Sequence, residues 1–310
     1  MISTTRGMLS IIAATVVWGL SSIYYKMLAD VPPGEVLAHR TLWSLVFFAA
    51  VLTLRGRLGE LGGLILRPRA LGLVALAALA ISTNWFVFIW SIQVGRAVEA
   101  SLGYYIFPLV AVLLGMVLFG ERLGPAKWLA VALAAAAVLV LTLGLGVAPW
   151  VSLVLAFTFG TYGVVKKRLA AGPTVSVTAE VLVLAPVALL WLWGVHTQGW
   201  TGLTGRNVGA FGHDLKTSLL LMFSGVLTAT PLMLFTTATR SLPLGLVGVM
   251  QYINPTLQFL VAALVFAEPV TRWHWLAFPL IWLAVAIYSI ESIRQDRAAR
   301  RARRAAVATP

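Results

Sequence analysis

The 310-residue chain has no cysteine, only ten acidic side chains and four scattered histidines. The first absence removes disulfides and thiolate metal sites from consideration. Charged residues of both signs make up 11% of the sequence and hydrophobic ones 60%, so a soluble fold could not cover its surface with polar groups. Motifs that carry group-transfer chemistry are missing too. There is no His-x-x-x-His, no Gly-x-Ser-x-Gly and no Gly-x-x-x-x-Gly-Lys-Ser/Thr, which leaves little for a membrane-embedded enzyme or an ATP-driven pump to work with.

What is present is apolar length. Crossing a hydrocarbon core of roughly 30 Å takes about 20 helical residues. Ten stretches qualify, near 7–28, 35–54, 70–94, 98–119, 126–146, 148–165, 174–195, 217–238, 243–267 and 271–291. Only 55–69 and 196–216 remain as loops of any length. The first span runs into Tyr24, Tyr25 and Lys26 without a small-x-small cleavage pattern and reads as a retained helix rather than a signal peptide. The fold class is all-α, integral to the membrane, with ten transmembrane helices.

A net charge of +13 raises the question of nucleic acid, and the placement of the basic residues answers it. Taken over alternate loops, seventeen Lys and Arg fall on one side and five on the other, with Arg40 inside a span. That is the positive-inside pattern, with both termini expected in the cytoplasm of a bacterial inner membrane. The basic stretch 294–310 reads as the solvated or headgroup-contacting end of the last helix. No nucleic-acid partner and no cofactor is expected. The expected partners are the bilayer and a small-molecule substrate, with the chain a monomer or a weak homodimer.

The sequence repeats itself. A shift of 147 residues lays Tyr105 on Tyr252, Ile106 on Ile253, Pro108 on Pro255, Phe119 on Phe266, Glu121 on Glu268 and Trp128 on Trp275. Near the start of each half, a shift of 141 lays Gly19 on Gly160, Lys26 on Lys167 and Pro32 on Pro173. Five spans per copy is an odd number, so the second copy starts from the opposite side of the membrane. The expected organisation is a 5+5 inverted repeat, 1–146 and 147–293, followed by the basic tail 294–310. Two such halves can rock about a midplane site and open it to one face at a time.

Several segments also resemble a known family. In order and spacing, "VVWGLSSIYYKML", "EVLAHRTLWS", "NWFVFIWSIQVGRAVEASLGYYIFPLVAVLLG", "FGERL", "QYINPTLQF" and "FAEP" are similar to the RarD group of the EamA-type drug/metabolite transporter superfamily. The resemblance runs from about Met8 to Ile290. It implies a ten-helix basket that moves small organic molecules, typically outward, with amino acids among the substrates of relatives. Phe107 and Ala111 depart from it, standing where the group usually has asparagines.

Candidate site residues follow from helical spacing. Ser101, Tyr104, Tyr105 and Pro108 share one face, and Gly248, Gln251, Tyr252, Pro255 and Gln258 form the equivalent stripe in the second copy. A proline in mid-span frees a carbonyl that lipid cannot satisfy, so both stripes are expected to face inward and Pro108 and Pro255 to break their helices. The other reading is that the prolines kink for packing and the tyrosines anchor at the interface. Trp18, Ser22, Asn84, Trp85 and Tyr162 are candidates for the same wall, because rings and a few amides suit a small zwitterion or amphipathic molecule. His39, Arg40 and Glu180 are ionisable residues just inside spans, open first to structural pairing or snorkelling and alternatively to gating or coupling. Glu35 and His39, four apart, could pair with each other. Glu99, Glu121 and Glu268 read as helix-end anchors. Small residues in 126–146 mark that span as peripheral, fit for packing on the other half. A passive channel would need a ring of like groups or a carbonyl filter, which "QYINP" is not.

Overall fold

The computed structural model describes residues 4–119, 124–146, 148–200, 209–242 and 244–308. Among them every regular element is helical: α1 (Thr4–Met27), α2 (Pro33–Leu54), α3 (Leu58–Ile65), α4 (Pro68–Gln93), α5 (Ala97–Phe119) and α6 (Pro125–Leu145) in the first half. The second half holds α7 (Trp150–Arg168), α8 (Pro173–Gln198), α9 (Leu215–Ser241), α10 (Leu244–Met250), α11 (Ile253–Leu260), a π-helical turn (Val261–Val265) and α12 (Arg272–Ala308). Nine spans among the described residues are long and apolar enough to cross a bilayer, the run from α10 to the π turn counting as one. The tenth crossing is α7, nineteen residues long, whose charges Lys166, Lys167 and Arg168 gather in its last turn.

The helix boundaries have local causes. Helices α2, α4, α6 and α8 begin with proline in the first turn, where a missing N–H costs nothing because it would have no intrahelical partner. Gly146 and Gly199 end α6 and α8 in the left-handed conformation that a side chain would strain.

Contacts between helix ends fix how the spans alternate. Glu268, just after the π turn, bonds the first amides of α5, while Tyr24 near the end of α1 donates to Leu220 in the second turn of α9. Lys166 at the end of α7 meets Glu180 near the start of α8. Each contact joins ends that successive crossings bring to the same face.

The main helix pairings recur when the halves are exchanged. Helix α1 packs on α9 as α7 packs on α4; α1 on α11 as α7 on α5; α2 on α9 as α8 on α4. Three further pairs, α2 with α8, α5 with α11 and α6 with α12, each join a helix to its own copy. A pseudo-twofold axis in the membrane plane is the arrangement that gives such a pattern. Glycines mark one symmetric close approach. A Cβ on Gly19 would lie 2.6 Å from Leu257 Cβ, and one on Gly160, the matching position, 3.3 Å from Val110 Cγ1. Val110 and Leu257 are themselves matched by the 147-residue shift. The small-residue span α6 packs along α12, half against half.

Three expectations need correction. The stretch 55–69 is not all loop: α3 forms in it and turns Leu64 inward against Leu52 and Val175, with Leu61 and Ile65 beside it at helical spacing. Pro108 breaks nothing, since α5 runs unbroken through it. The second copy is broken, but at Gln251 and Tyr252 rather than at Pro255, which sits in the first turn of α11 where proline is tolerated. The Gln251 carbonyl, which proline leaves without its helical donor, instead accepts from Asn254 N–H at 3.1 Å.

Past the π turn, Ala267 adopts a positive φ of 51°, a left-handed cap occupied here by a residue with a Cβ. This turn aims Glu268 at α5, where its two oxygens accept from Ala97 and Val98 N–H at 2.8 Å each. A carboxylate on the positive end of a helix dipole is a favourable anchor. Glu121, its counterpart in the first copy, lies outside the described residues.

Candidate functional site: a central cavity with a buried arginine

Between the halves lies a cavity of about 220 Å³. Its wall is rich in aromatic rings, from Trp18 and Tyr25 on α1, Trp85 and Phe88 on α4, Tyr104 and Phe107 on α5, Phe159 and Tyr162 on α7, and Phe235 on α9. Polar groups come from Ser21, Asn84, Thr228, Gln251, Asn254 and Gln258, and one full charge from Arg40. Phe107, the apolar departure from the family pattern, thus faces the cavity itself.

Of the residues expected on this wall, Trp18, Asn84, Trp85, Tyr104, Tyr162, Gln251, Tyr252 and Gln258 lie on it, as do Pro108 and Pro255. Three do not. Ser22 is fully buried in packing while its neighbour Ser21 reaches the cavity, a rotation of one residue about α1. Ser101 donates to Val98 O at 2.7 Å, so its hydroxyl is used within its own helix. Tyr105 turns toward α11 and α12, sharing a 2.6 Å hydrogen bond with Thr256 and stacking on Tyr252 at 6.3 Å and 15°. Tyr105 and Tyr252 are copies of each other, so they form a contact across the axis; Tyr252 also borders the cavity, and Tyr105 does not.

Hydrogen bonding separates wall groups that are committed from those that are available. Asn84 donates to Leu155 O and Thr158 Oγ1 at 3.0 Å and accepts from Tyr104 Oη at 2.8 Å. It ties α4, α5 and α7 together, and both of its N–H donors are used. Tyr252 Oη and Gln258 Oε1, by contrast, are buried without a hydrogen-bond partner among the described residues. Such unmet groups are costly in a structural core and useful in a binding wall.

Arg40 is the unusual member. It is 7% exposed, its Nε donates to Thr228 Oγ1 at 2.9 Å, and its guanidinium lies 3.9 Å over the Trp85 ring with Tyr25 at 5.7 Å. Among the described residues no carboxylate comes within ion-pair distance of it. Cation–π contact offsets part of the cost of burying the charge but leaves guanidinium donors free for an anion. A sequence reading could not foresee this, because Tyr25 and Thr228 are brought to Arg40 only by tertiary packing.

The other two ionisable candidates are held elsewhere. Glu180 is 1% exposed and paired, its oxygens meeting Lys166 Nζ at 2.6 Å and Tyr162 Oη at 3.1 Å, with Ser176 also bonded to Lys166. His39 points away from the cavity and stacks on Phe211 at 4.7 Å. Glu35 does not bond His39. It accepts instead from Ala210 N–H at 2.6 Å. Glu99 opens α5 beside Arg96, 3.8 Å away.

A family model describing EamA-like transporters matches this chain twice, over residues 5–143 and 147–290. The chain belongs to the EamA-like transporter family. It is a multi-pass membrane transporter, and the double match coincides with its two halves. It is 39% identical to Protein RarD of Salmonella typhimurium over 95% of this chain and 98% of the relative. An uncharacterized transporter of Vibrio cholerae is 39% identical over 96% of each. A protein of Pseudomonas aeruginosa named chloramphenicol-sensitive protein RarD is 33% identical over 93% of this chain and 95% of that one. A solved crystal structure shares the fold at a TM-score of 0.59 and 18% identity, covering 94% of this chain and 99% of that chain.

Proposed function

We propose that this EamA-family protein is a secondary transporter that exports small amphipathic metabolites carrying a carboxylate, with amino acids the best match, across the bacterial inner membrane by alternating access. The termini lie in the cytoplasm, as the distribution of Lys and Arg over alternate loops suggests.

The observation that carries this reading is Arg40, a buried guanidinium on the cavity wall with no carboxylate paired to it among the described residues. A substrate carboxylate would supply the missing anion with planar, charge-assisted hydrogen bonds. The ammonium of a zwitterion finds a complementary setting in the aromatic wall and the unpartnered Gln258 carbonyl. Apolar side chains of the substrate would pack on Phe88, Phe107 and Phe159.

Counterflow in proteoliposomes tests the assignment, with radiolabelled amino acids competed by their methyl esters and by their N-acetyl forms. Free acids should compete and esters should not. Equal competition by acids and esters, or no uptake of any amino acid by protein that is folded in the same liposomes, would overturn it.

A further inference from the structure

A second cluster of titratable side chains lies outside the cavity, at the end of the bundle where α2 begins and α8 ends. Glu35 and His39, one turn apart on α2, and His196 in the last turn of α8 place one ligand atom each within 4.8 Å of one another. Glu35 is 0% exposed and His39 5% exposed. One carboxylate oxygen, Glu35 Oε2, and the ring nitrogen His39 Nε2 are buried with no hydrogen-bond partner among the described residues. Two unsatisfied buried ligand atoms on side chains one helical turn apart are expensive unless something is held between them.

The short segment before α9 shapes all three groups. Ala210 N–H bonds the other Glu35 oxygen at 2.6 Å, and the Phe211 ring stacks on His39 at 4.7 Å. Gly209 makes room for His196, since a Cβ there would lie 2.1 Å from its Nδ1. One oxygen of Glu35 is therefore anchored by backbone while the other is left free, an outer-shell arrangement typical of metal ligands.

We infer that Glu35, His39 and His196 form a binding site for a divalent transition metal of the Zn²⁺ class. One carboxylate and two imidazoles suit such an ion at about 2.0–2.2 Å, with a fourth position left for water. Ligand atoms around a tetrahedral ion stand about 3.4 Å apart, so His196, exposed on the rim, swings inward to close the set. Because α2 and α8 are symmetry copies from opposite halves, the ion pins the two halves together at this end. Residue 39 faces the metal and residue 40 the cavity, which places the clamp beside the substrate wall.

The test uses the purified full chain with its affinity tag removed. Zn²⁺ should bind at one ion per chain and raise Tm, Mg²⁺ should not, and Co²⁺ should give the visible bands of a four-coordinate N/O site. His196→Ala, at an exposed position, and Glu35→Gln, which keeps an acceptor for the Ala210 amide, should each weaken Zn²⁺ binding on the order of 100-fold. His213→Ala, at an exposed neighbouring histidine, should leave it unchanged. The inference is overturned if the folded wild-type chain shows no one-to-one Zn²⁺ binding, if both site variants bind as the wild type does, or if His213→Ala removes the binding instead. Transport activity does not enter this readout, so its failure and the failure of the transport assignment remain separate.

Discussion

Replacing Arg40 by methionine removes the buried charge while keeping length and apolar volume. For the folded chain the change nearly balances. The protein loses a cation–π contact with Trp85, about 2 kcal/mol when desolvated, and the bond to Thr228, but it no longer buries an ion at a cost of several kcal/mol. The expected shift in thermal midpoint is small. Substrate binding does not balance. A carboxylate that met the guanidinium would enter the same cavity with no counter-charge, and removing one partner of a buried charge pair costs about 2–5 kcal/mol. Taking about 3 kcal/mol, affinity for the acid falls on the order of 100-fold while that of its methyl ester is unchanged or improves. Arg40→Lys keeps the charge but not the planar fork over Trp85, and should fall between the two. The measurement is the ratio of acid to ester half-inhibition concentrations in counterflow, for wild type and both variants at equal reconstitution. If Arg40→Met leaves that ratio at its wild-type value, Arg40 does not meet a substrate carboxylate and the substrate class argued from it is wrong.

Other outcomes follow from the same geometry. Glu180→Leu leaves the half-buried Lys166 without its carboxylate and should lower thermal stability by about 1–3 kcal/mol, between the cost of breaking an exposed and a buried pair, whereas the double variant Lys166→Met/Glu180→Leu should recover most of it; scanning fluorimetry on the cycle would detect additive losses, which would deny the pairing. Gly19→Ala inserts a Cβ 2.6 Å from Leu257 Cβ and must push α1 off α11, costing about 1–3 kcal/mol, while Gly160→Ala, facing movable side-chain ends at 3.3 Å, should cost less; a reversed order in Tm would contradict the packing. Asp214 accepts from Thr217 N–H at 2.7 Å as the N-cap of α9, and this bond holds its carboxyl below the ordinary aspartate value. A depressed folded pKa means the cap contributes above the unfolded value and is lost as pH falls through the folded one. Hydrogen exchange at the Thr217 amide, corrected for intrinsic rate, should therefore accelerate as pH drops below the usual aspartate range, and Asp214→Asn should abolish that pH step.

How much of this was legible beforehand depended on how local each property is. Span positions came out within a few residues, because hydropathy and proline at helix starts act over one helix. The stripe through Tyr104 and Pro108 was placed on the cavity side of α5, yet Tyr105, adjacent on the same helix, turned to its symmetry mate. Adjacent residues on a helix differ by about 100°, and only the rotation of the whole helix decides between Ser21 and Ser22. The position of the break in the ninth span was also missed. A proline announces a lost hydrogen bond, but where the chain opens depends on whether that proline falls in a first turn, and at Pro255 it does.

The sequence alone determined that the chain spans the membrane, that a five-span unit occurs twice, and that an odd count inverts the second copy; these follow from apolar length and register, which need no knowledge of neighbours. Tertiary structure decided which side chains were left with unmet valence. Arg40 with no carboxylate beside it among the described residues, Glu35 Oε2 and His39 Nε2 left unbonded there, and Glu180 already paired are all outcomes of contacts between helices far apart in the chain, and no periodicity within one helix encodes them.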